Sequence, residues 1–599
     1  MDKQGLATRD EIAEEFKWDL TAIYESDQEW EEEFNQVVSR ISEIEAFQGE
    51  LAESADKLLA GLELSTELNR SLGKLYTYAN RKSDEDTANS KYQALLAKVQ
   101  GLQNQLASAT SFMVPEILQL PTEKLESFVE EEEGLQLYQQ NLDDIMRRKE
   151  HFLSPEEERI IALAGEVAQG PENIFGMLNN ADLDFPTIED ETGEQVQVTH
   201  GRFIELLKRD NREVRKSAFE AYYNLYQNQE NTLAATLSTN IKKDLFYMRA
   251  RNYSSSLEAS LDGDNIPVEV YDNLLQTVED NLDYMHDYME LRKRTLPIDE
   301  LHMYDLYTPL VKDVEMKVEY EEAKEIILQA FEPLGAEYVK VVEEAFEDNW
   351  IDVYENKGKR SGAYSASAYD AHPYILLNYT DQIDDLFTLA HELGHALHSY
   401  YSNENQPYIY ANYSIFVAEV ASTVNEALLM NYLLETTEDE EKRKYILNHY
   451  LEQFRGTVYR QTMFANFEKL IHQQAEEGQA LTSDLLSELY YDLNQKYYGK
   501  QVVVDDQIAI EWARIPHFYY NFYVYQYATG FSAAVALSQQ ILEQGEEAVN
   551  RYLEFLKGGS SDYPLNLLQQ AGVDMKSSEP IEKSLTVFSD LIQEMEQLI

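Results

Sequence analysis

The stretch that decides the fold is DDLFTLAHELGHALH, residues 384–398. Its apolar residues recur at the spacing of one helical face, and Asp384 or Asp385 can cap the helix that they predict. Residues four apart lie on the same face, so His391 and His395 can direct imidazole nitrogens at a single metal ion. The pattern therefore predicts a metal-binding helix.

Glu392 follows the first histidine and points to the flank of that face. From there its carboxylate can take a proton from a metal-bound water. The alternative is a pair of ordinary core histidines beside an exposed glutamate. We consider it the weaker interpretation, because three polar groups on so apolar a helix cost several kcal/mol to bury without a ligand or a network.

A catalytic zinc usually has three protein ligands and one open position. His398 is not the third ligand, because helix rise separates its backbone from that of His391 by about 10 Å; it is expected to pack or to support the site. The metzincin pattern requires glycine at position 398 and histidine at 401, whereas this chain has His398 and Tyr401.

The third ligand is expected from the next helix. Glu419 lies within the apolar stretch 415–422, where an unpaired carboxylate would be costly. Glu404 lies in a polar loop and ranks second. Glu426 follows Glu419 by two turns and can either orient a ligating histidine or form an ordinary salt bridge; both readings stay open.

Composition limits the other possibilities. The 599 residues contain no cysteine, which excludes disulfides, thiolate metal sites and cysteine nucleophiles. The net charge of -61 disfavours binding to nucleic acid or to anionic lipid. We find no leader segment and no apolar run of membrane-spanning length, and therefore expect a cytoplasmic protein.

The pattern along the chain is mainly helical. Residues 1–150 show helical periodicity, a broken stretch places a boundary near residue 200, and residues 350–380 predict a small sheet just before the metal helix. Within it, Tyr374–Tyr379 is predicted as a strand whose edge could bind an extended peptide.

Three ordered motifs resemble one family: HELGHALH at 391–398, FVAEVAS at 416–422 and IPHFYY at 515–520. They are similar to the oligoendopeptidase F branch of the thimet oligopeptidase (M3) family of zinc metallopeptidases. The resemblance implies a mainly α fold of the gluzincin type, with two helical lobes flanking a deep substrate channel and a small β-sheet next to the HExxH helix.

The same resemblance implies three regions: an N-terminal helical region (1–114), an oligopeptidase N-terminal-type domain (115–200) and a catalytic domain (201–599). It also implies one Zn²⁺ per chain, held by His391, His395 and Glu419. With Glu392 as base, the enzyme would hydrolyse internal bonds of short unfolded peptides.

The third motif resembles the substrate-binding segment of the family. It implies that His517 and nearby tyrosines contact the scissile carbonyl and stabilise the oxyanion. Tyr520, Tyr523 and Tyr527 are the candidates, and the sequence does not separate them. Several aromatic residues of this run must instead belong to the core. The mammalian branch has a glycine-rich loop here, whereas this chain has no glycine until Gly530.

Two rival functions stay open. The first is an exopeptidase or another zinc hydrolase of the gluzincin type. The second is a zinc-stabilised scaffold or peptide-binding protein without turnover, which Glu392 argues against because a structural site needs no base. Cleavage preference, physiological peptides and oligomeric state are not encoded in these motifs.

Overall fold

Helices dominate the computed structural model of the chain, which describes residues 6–311 and 316–599. Helix accounts for 73% and strand for 3%, which confirms the mainly helical class. The chain forms two compact units, each built from three segments. Unit 1 comprises residues 6–152, 316–432 and 537–572, and unit 2 comprises residues 153–311, 433–536 and 573–599. The linear three-region division stays a prediction.

Fourteen α-helices precede residue 312 among the described residues. They are α1 (Asp27–Glu45), α2 (Ala55–Glu85), α3 (Ser90–Thr110), α4 (Met113–Gln119), α5 (Thr122–Glu131), α6 (Gln139–Arg147), α7 (Pro155–Ala168), α8 (Gly170–Met177), α9 (His200–Leu207), α10 (Arg212–Gln227), α11 (Glu230–Ala250), α12 (Ser256–Leu261), α13 (Val268–Asp280) and α14 (Leu282–Thr295).

Eleven more lie within residues 316–599. They are α15 (Tyr320–Ala330), α16 (Gly335–Glu347), α17 (Ile383–Asn405), α18 (Ile415–Thr436), α19 (Glu440–Gln453), α20 (Arg460–Glu476), α21 (Ser483–Tyr498), α22 (Tyr525–Gln544), α23 (Glu546–Lys557), α24 (Pro564–Gln570) and α25 (Glu579–Leu598). None of the described helices is long and apolar enough to cross a membrane.

Seven short strands complete the described structure. They are β1 (Thr187–Glu189), β2 (Gln195–Gln197), β3 (Leu301–His302), β4 (Ile351–Asp352), β5 (Tyr364–Ala366), β6 (Tyr374–Leu376) and β7 (Val502–Val503). β1 pairs with β2 in an antiparallel hairpin, and β3 pairs with β7 in parallel.

The predicted sheet before the metal helix forms in unit 1, with strand order β4-β6-β5. β4 runs parallel to β6 and β5 runs antiparallel to it, so that Ile375 lies between Ile351 and Ser365. The predicted role of the Tyr374 strand as a peptide-binding edge is therefore wrong, because both of its edges are paired within the sheet. β4 and β5 are the two outer strands of this sheet, each paired with β6 alone.

α17 carries the predicted metal motif. Asp385 accepts the backbone N–H groups of Gln382 (3.0 Å) and Thr380 (2.8 Å), which satisfies donors that the start of the helix leaves free. The helix runs unbroken for 23 residues and ends just before Pro407. Its apolar residues are buried on all sides, because β5, β6, α15, α16 and α23 pack around it.

Candidate metal centre and aromatic cluster

Three possible ligand atoms converge in unit 1. His391 Nε2 lies 3.1 Å from His395 Nε2, and Glu419 Oε2 lies 3.4 Å from the first nitrogen and 3.6 Å from the second. In a tetrahedral site with bonds of about 2.0–2.1 Å, neighbouring ligand atoms are about 3.3–3.4 Å apart. The three separations and the nitrogen and oxygen donors therefore fit a single zinc-sized ion. Among the described residues, these are the three whose ligand atoms lie close enough together to bind one metal ion.

The histidines and the glutamate meet because α17 and α18 pass very close to each other. A Cβ atom on Gly394 would lie 2.4 Å from Ser422 Cα, so only glycine permits this approach. Asn425 of α18 donates to the carbonyl of Ala390 (3.1 Å) and accepts from the Tyr338 hydroxyl (2.8 Å). The sequence analysis did not predict the roles of Gly394 and Asn425. The available signals were a glycine and an asparagine inside apolar helices.

Glu426 also points at the site from α18. Its Oε1 lies 2.5 Å from Nδ1 of His391, while Nε2 of the same ring faces Glu419. Burial alone would lower the pKa of His391, but the hydrogen bond and the charge of Glu426 outweigh it and raise the pKa to about 9. Burial and the charge of His391 lower the pKa of His395 to about 3, against a hydrogen bond to the backbone of Ala418.

Glu392 is buried on the flank of α17. Its carboxylate accepts a backbone hydrogen bond from Ser365 of β5, and Oε2 has no hydrogen-bond partner within the described residues. Burial raises the pKa of Glu392 to about 7, against the opposing charge of His391. A carboxylate with one free oxygen and a near-neutral pKa has the properties of a general base.

The two remaining candidates of this region lie away from the three ligand atoms. His398 is fully buried, and its ring stacks on that of Tyr413 with centroids 3.6 Å apart. Burial lowers the pKa of His398 to about 3, so the ring is neutral. Glu404 is exposed near the end of α17. Neither residue belongs to the candidate metal group.

Unit 2 contains the predicted carbonyl-binding residues as one group, here named the His517 cluster: His517, Tyr520, Tyr523 and Tyr527. The ring centroid of His517 lies 5.9, 6.3 and 6.0 Å from those of the three tyrosines in that order. Burial lowers the pKa of His517, which keeps the imidazole neutral and able to donate one N–H.

The aromatic run divides by exposure. Tyr520 is 46% exposed, and the other three members of the cluster are partly exposed. The intervening aromatic residues are instead buried in the core; they are Phe518, Tyr519, Phe522 and Tyr525. The residues predicted to contact substrate are thus the ones that the fold leaves accessible.

Comparison with known proteins identifies the family. The model of peptidase family M3 matches residues 205–587, and the oligopeptidase F model matches residues 116–185. The chain belongs to peptidase family M3. This M3 peptidase is 54% identical to the oligopeptidase PepF of Bacillus subtilis over 594 residues, covering 99% of this chain and 89% of the relative.

Other relatives support the same assignment. The M3 chain is 44% identical to the group B oligopeptidase PepB of Streptococcus agalactiae, covering 99% of this chain and 98% of the relative. The solved oligoendopeptidase F of Enterococcus faecium is 42% identical with a TM-score of 0.74, covering 96% of this chain and 99% of that one. A solved Chlamydophila abortus structure reaches a TM-score of 0.94 at 36% identity, with 99% and 100% covered. The family resemblance is confirmed, and the chain is a peptidase of a metallopeptidase family.

Proposed function

We propose that this M3 peptidase is a zinc-dependent oligoendopeptidase, which hydrolyses internal bonds of short unfolded peptides. The observation that carries the proposal is the set of separations among His391 Nε2, His395 Nε2 and Glu419 Oε2, with buried Glu392 beside them. The names of the relatives from Bacillus subtilis and Enterococcus faecium, an oligopeptidase and an oligoendopeptidase, point to the same substrate class.

One Zn²⁺ per chain is the proposed cofactor, because two imidazoles and one carboxylate are a donor set typical of catalytic zinc. When bound, zinc supplies Lewis acidity, which polarises a carbonyl and makes water more acidic. Glu426 holds the ring of His391 through Nδ1, which leaves Nε2, beside Glu419, as the nitrogen that would bind the ion. His398 packs on Tyr413 and supports α17 from its buried side.

Glu392 is the proposed proton carrier. Its free Oε2 takes a proton from the attacking water and then delivers it to the nitrogen of the departing amine. The water adds to the scissile carbonyl carbon, and the C–N bond breaks when the nitrogen is protonated. No covalent bond between enzyme and peptide is needed.

The His517 cluster is proposed to stabilise the negative oxygen of the tetrahedral intermediate. The neutral imidazole N–H and the tyrosine hydroxyls are donors suited to an oxyanion. Single replacements by phenylalanine at Tyr520, Tyr523 and Tyr527 identify the donor, since only its loss lowers kcat while KM changes little.

The proposed setting follows from the family match, charge and composition. The proposed partners are oligopeptides, on the strength of the family match. A net charge of -61 is unsuited to nucleic acid or to anionic membranes as partners. A cytoplasmic location and the three-region domain division remain part of the proposal.

Peptides blocked at both ends test the proposal. A series of increasing length is incubated with enzyme that is zinc-loaded, chelated, or chelated and then reloaded, and the products are identified by mass spectrometry. We expect internal cleavage of short peptides by loaded enzyme only, and declining cleavage with length. Cleavage of free-ended peptides alone would favour an exopeptidase, and zinc binding without any cleavage would favour a scaffold.

A further inference from the structure

The loop that follows His517 has an unusual backbone. Asn521 and Phe522 both have positive φ angles, of 49° and 60°. Asparagine tolerates this left-handed region, but a bulky residue such as phenylalanine rarely adopts it. Such a conformation persists only where the surrounding structure enforces it. The sequence thus has two non-glycine residues where the chain needs a left-handed turn, between His517 and Tyr523.

One buried carboxylate holds this turn. The backbone N–H of Phe522 donates to Oε1 of Glu468 at 2.6 Å. Glu468 belongs to α20 and its residue surface is 0% exposed. The preceding carbonyl, that of Asn521, accepts from the Ser260 hydroxyl at 2.7 Å. Two side chains from other helices therefore hold the single peptide group that links the left-handed pair, one at its N–H and one at its carbonyl.

The Phe522 side chain also packs against α20. It is 1% exposed, and its ring lies 4.4 Å from the His472 ring and 5.8 Å from the Tyr271 ring, centroid to centroid. His472 is one turn after Glu468 on α20, so the helix contacts both the backbone and the ring of Phe522. The strain at this residue is offset by that packing and by the hydrogen bond.

The Glu468 carboxylate has few other polar neighbours among the described residues. Its Oε2 has no hydrogen-bond partner within the described residues. The ionisable groups near it include His472 and Asp244, which pair with each other at 3.4 Å, and the buried Tyr271. Burial raises the pKa of Glu468 to about 7, although the His472 charge and the Phe522 N–H lower it. Burying a carboxylate is costly, and within the described residues this carboxylate accepts its hydrogen bond from the loop.

We propose that Glu468 is a positioning residue for the His517 cluster: it holds Phe522 in the left-handed conformation that fixes where His517, Tyr520 and Tyr523 point. The inference rests on the proposed role of that cluster in binding the scissile carbonyl. Glu468 itself is fully buried and is not one of the candidate metal ligands. Its loss would loosen the loop and raise the barrier of the chemical step.

Hydrogen exchange at the Phe522 amide tests the clamp without any reference to activity. Glu468→Leu removes the acceptor, and Glu476→Leu is the matched control, because Glu476 on the same helix accepts the backbone N–H of Ser256 at 2.7 Å. Exchange is followed by mass spectrometry with fragmentation to single residues. We expect Phe522 to exchange about tenfold faster or more in Glu468→Leu, and unchanged in the control.

Kinetics of peptide cleavage then separate positioning from general destabilisation. In Glu468→Leu we expect kcat to fall by about tenfold to a hundredfold with a smaller change in KM, since a displaced oxyanion donor acts in the transition state. The Glu476→Leu enzyme should retain its kcat.

Unchanged Phe522 exchange in Glu468→Leu would overturn the proposal, and so would equal kcat losses in the two leucine variants. If the Glu468→Leu chain does not fold, Glu468→Gln provides the test: a neutral acceptor is weaker than a carboxylate, so Phe522 exchange should rise about fivefold, and no rise would contradict the clamp. If His517→Ala keeps wild-type kcat, the proposed carbonyl role fails, while the exchange result still decides the clamp.

Discussion

In the proposed mechanism, Glu392 is the residue on which turnover depends most. Replacing it with glutamine keeps the size of the side chain but removes its ability to accept a proton. We expect Glu392→Gln to lower kcat by about a hundredfold to ten-thousandfold, measured with a peptide blocked at both ends. The exposed Glu404→Gln is the control and should cleave normally. Near-wild-type turnover by a zinc-loaded Glu392→Gln enzyme would refute the role of the base.

Replacing Glu426 tests whether its contact with His391 supports metal binding, and does not address the chemical step. Its Oε1 faces Nδ1 of His391, and removal of such a partner typically weakens metal affinity by about 10–100-fold. We expect that loss in Glu426→Ala, measured by competition with a zinc chelator. Glu435→Ala, an exposed position in the last turn of α18, serves as the control. Equal affinities in both variants would leave Glu426 an ordinary salt-bridge residue.

At the scale of elements, the crossing of α17 and α18 builds the metal centre. Gly394→Ala places a methyl group 2.4 Å from Ser422 Cα, where backbone must move. We expect a loss of roughly 1–3 kcal/mol in the free energy of unfolding, together with weaker zinc binding. Both are measured by denaturant titration with and without metal.

Gly101→Ala is the matched control for this substitution. Gly101 lies in α3, and a Cβ there meets no atom within 4 Å. Alanine is the better helix former, so this variant should be more stable by about 0.8–1.0 kcal/mol, with unchanged zinc affinity. If Gly394→Ala behaved like Gly101→Ala, the close approach of the two helices would not be required for metal binding.

The local part of this architecture can be predicted from sequence, and the pairing of its elements cannot. Helical periodicity depends only on neighbouring residues, so the spacing of His391 and His395 predicted α17 and the face that carries them. Where Gly394 would meet Ser422, or which strands would flank Ile375, depends on contacts between distant segments. For that reason the edge prediction for the Tyr374 strand was wrong, and the left-handed Phe522 was not foreseen.

At the scale of the whole molecule, several arginines of this strongly acidic chain form buried ion pairs. In unit 2, Glu511 accepts from Arg460 (2.8 Å) and from the hydroxyls of Tyr223 (2.8 Å) and Tyr490 (2.6 Å). Burial would raise the pKa of Glu511, but Arg460 and Arg514 outweigh it and hold the pKa far below its usual value of 4.5. The unfolded chain therefore binds this proton more readily.

The difference in the pKa of Glu511 between the folded and unfolded chain predicts how acid destabilises the fold. A depressed pKa contributes stability that is fully present above the unfolded value of 4.5 and is lost as the pH falls below it. We expect Glu511→Gln to cost roughly 3–5 kcal/mol at pH 7 by leaving arginines unpaired. Between pH 7 and pH 3, urea titration should show a smaller loss in the free energy of unfolding for the variant than for the wild type. Equal losses in the free energy of unfolding would contradict the low pKa of Glu511.

The central claim is that one zinc ion is bound by His391, His395 and Glu419. Anomalous X-ray diffraction at the zinc absorption edge, from crystals of the zinc-loaded protein, tests it most directly. We expect one anomalous peak per chain, at about 2.0–2.2 Å from His391 Nε2, His395 Nε2 and Glu419 Oε2. A peak bound by other residues, or the absence of a peak between these three side chains, would contradict the account.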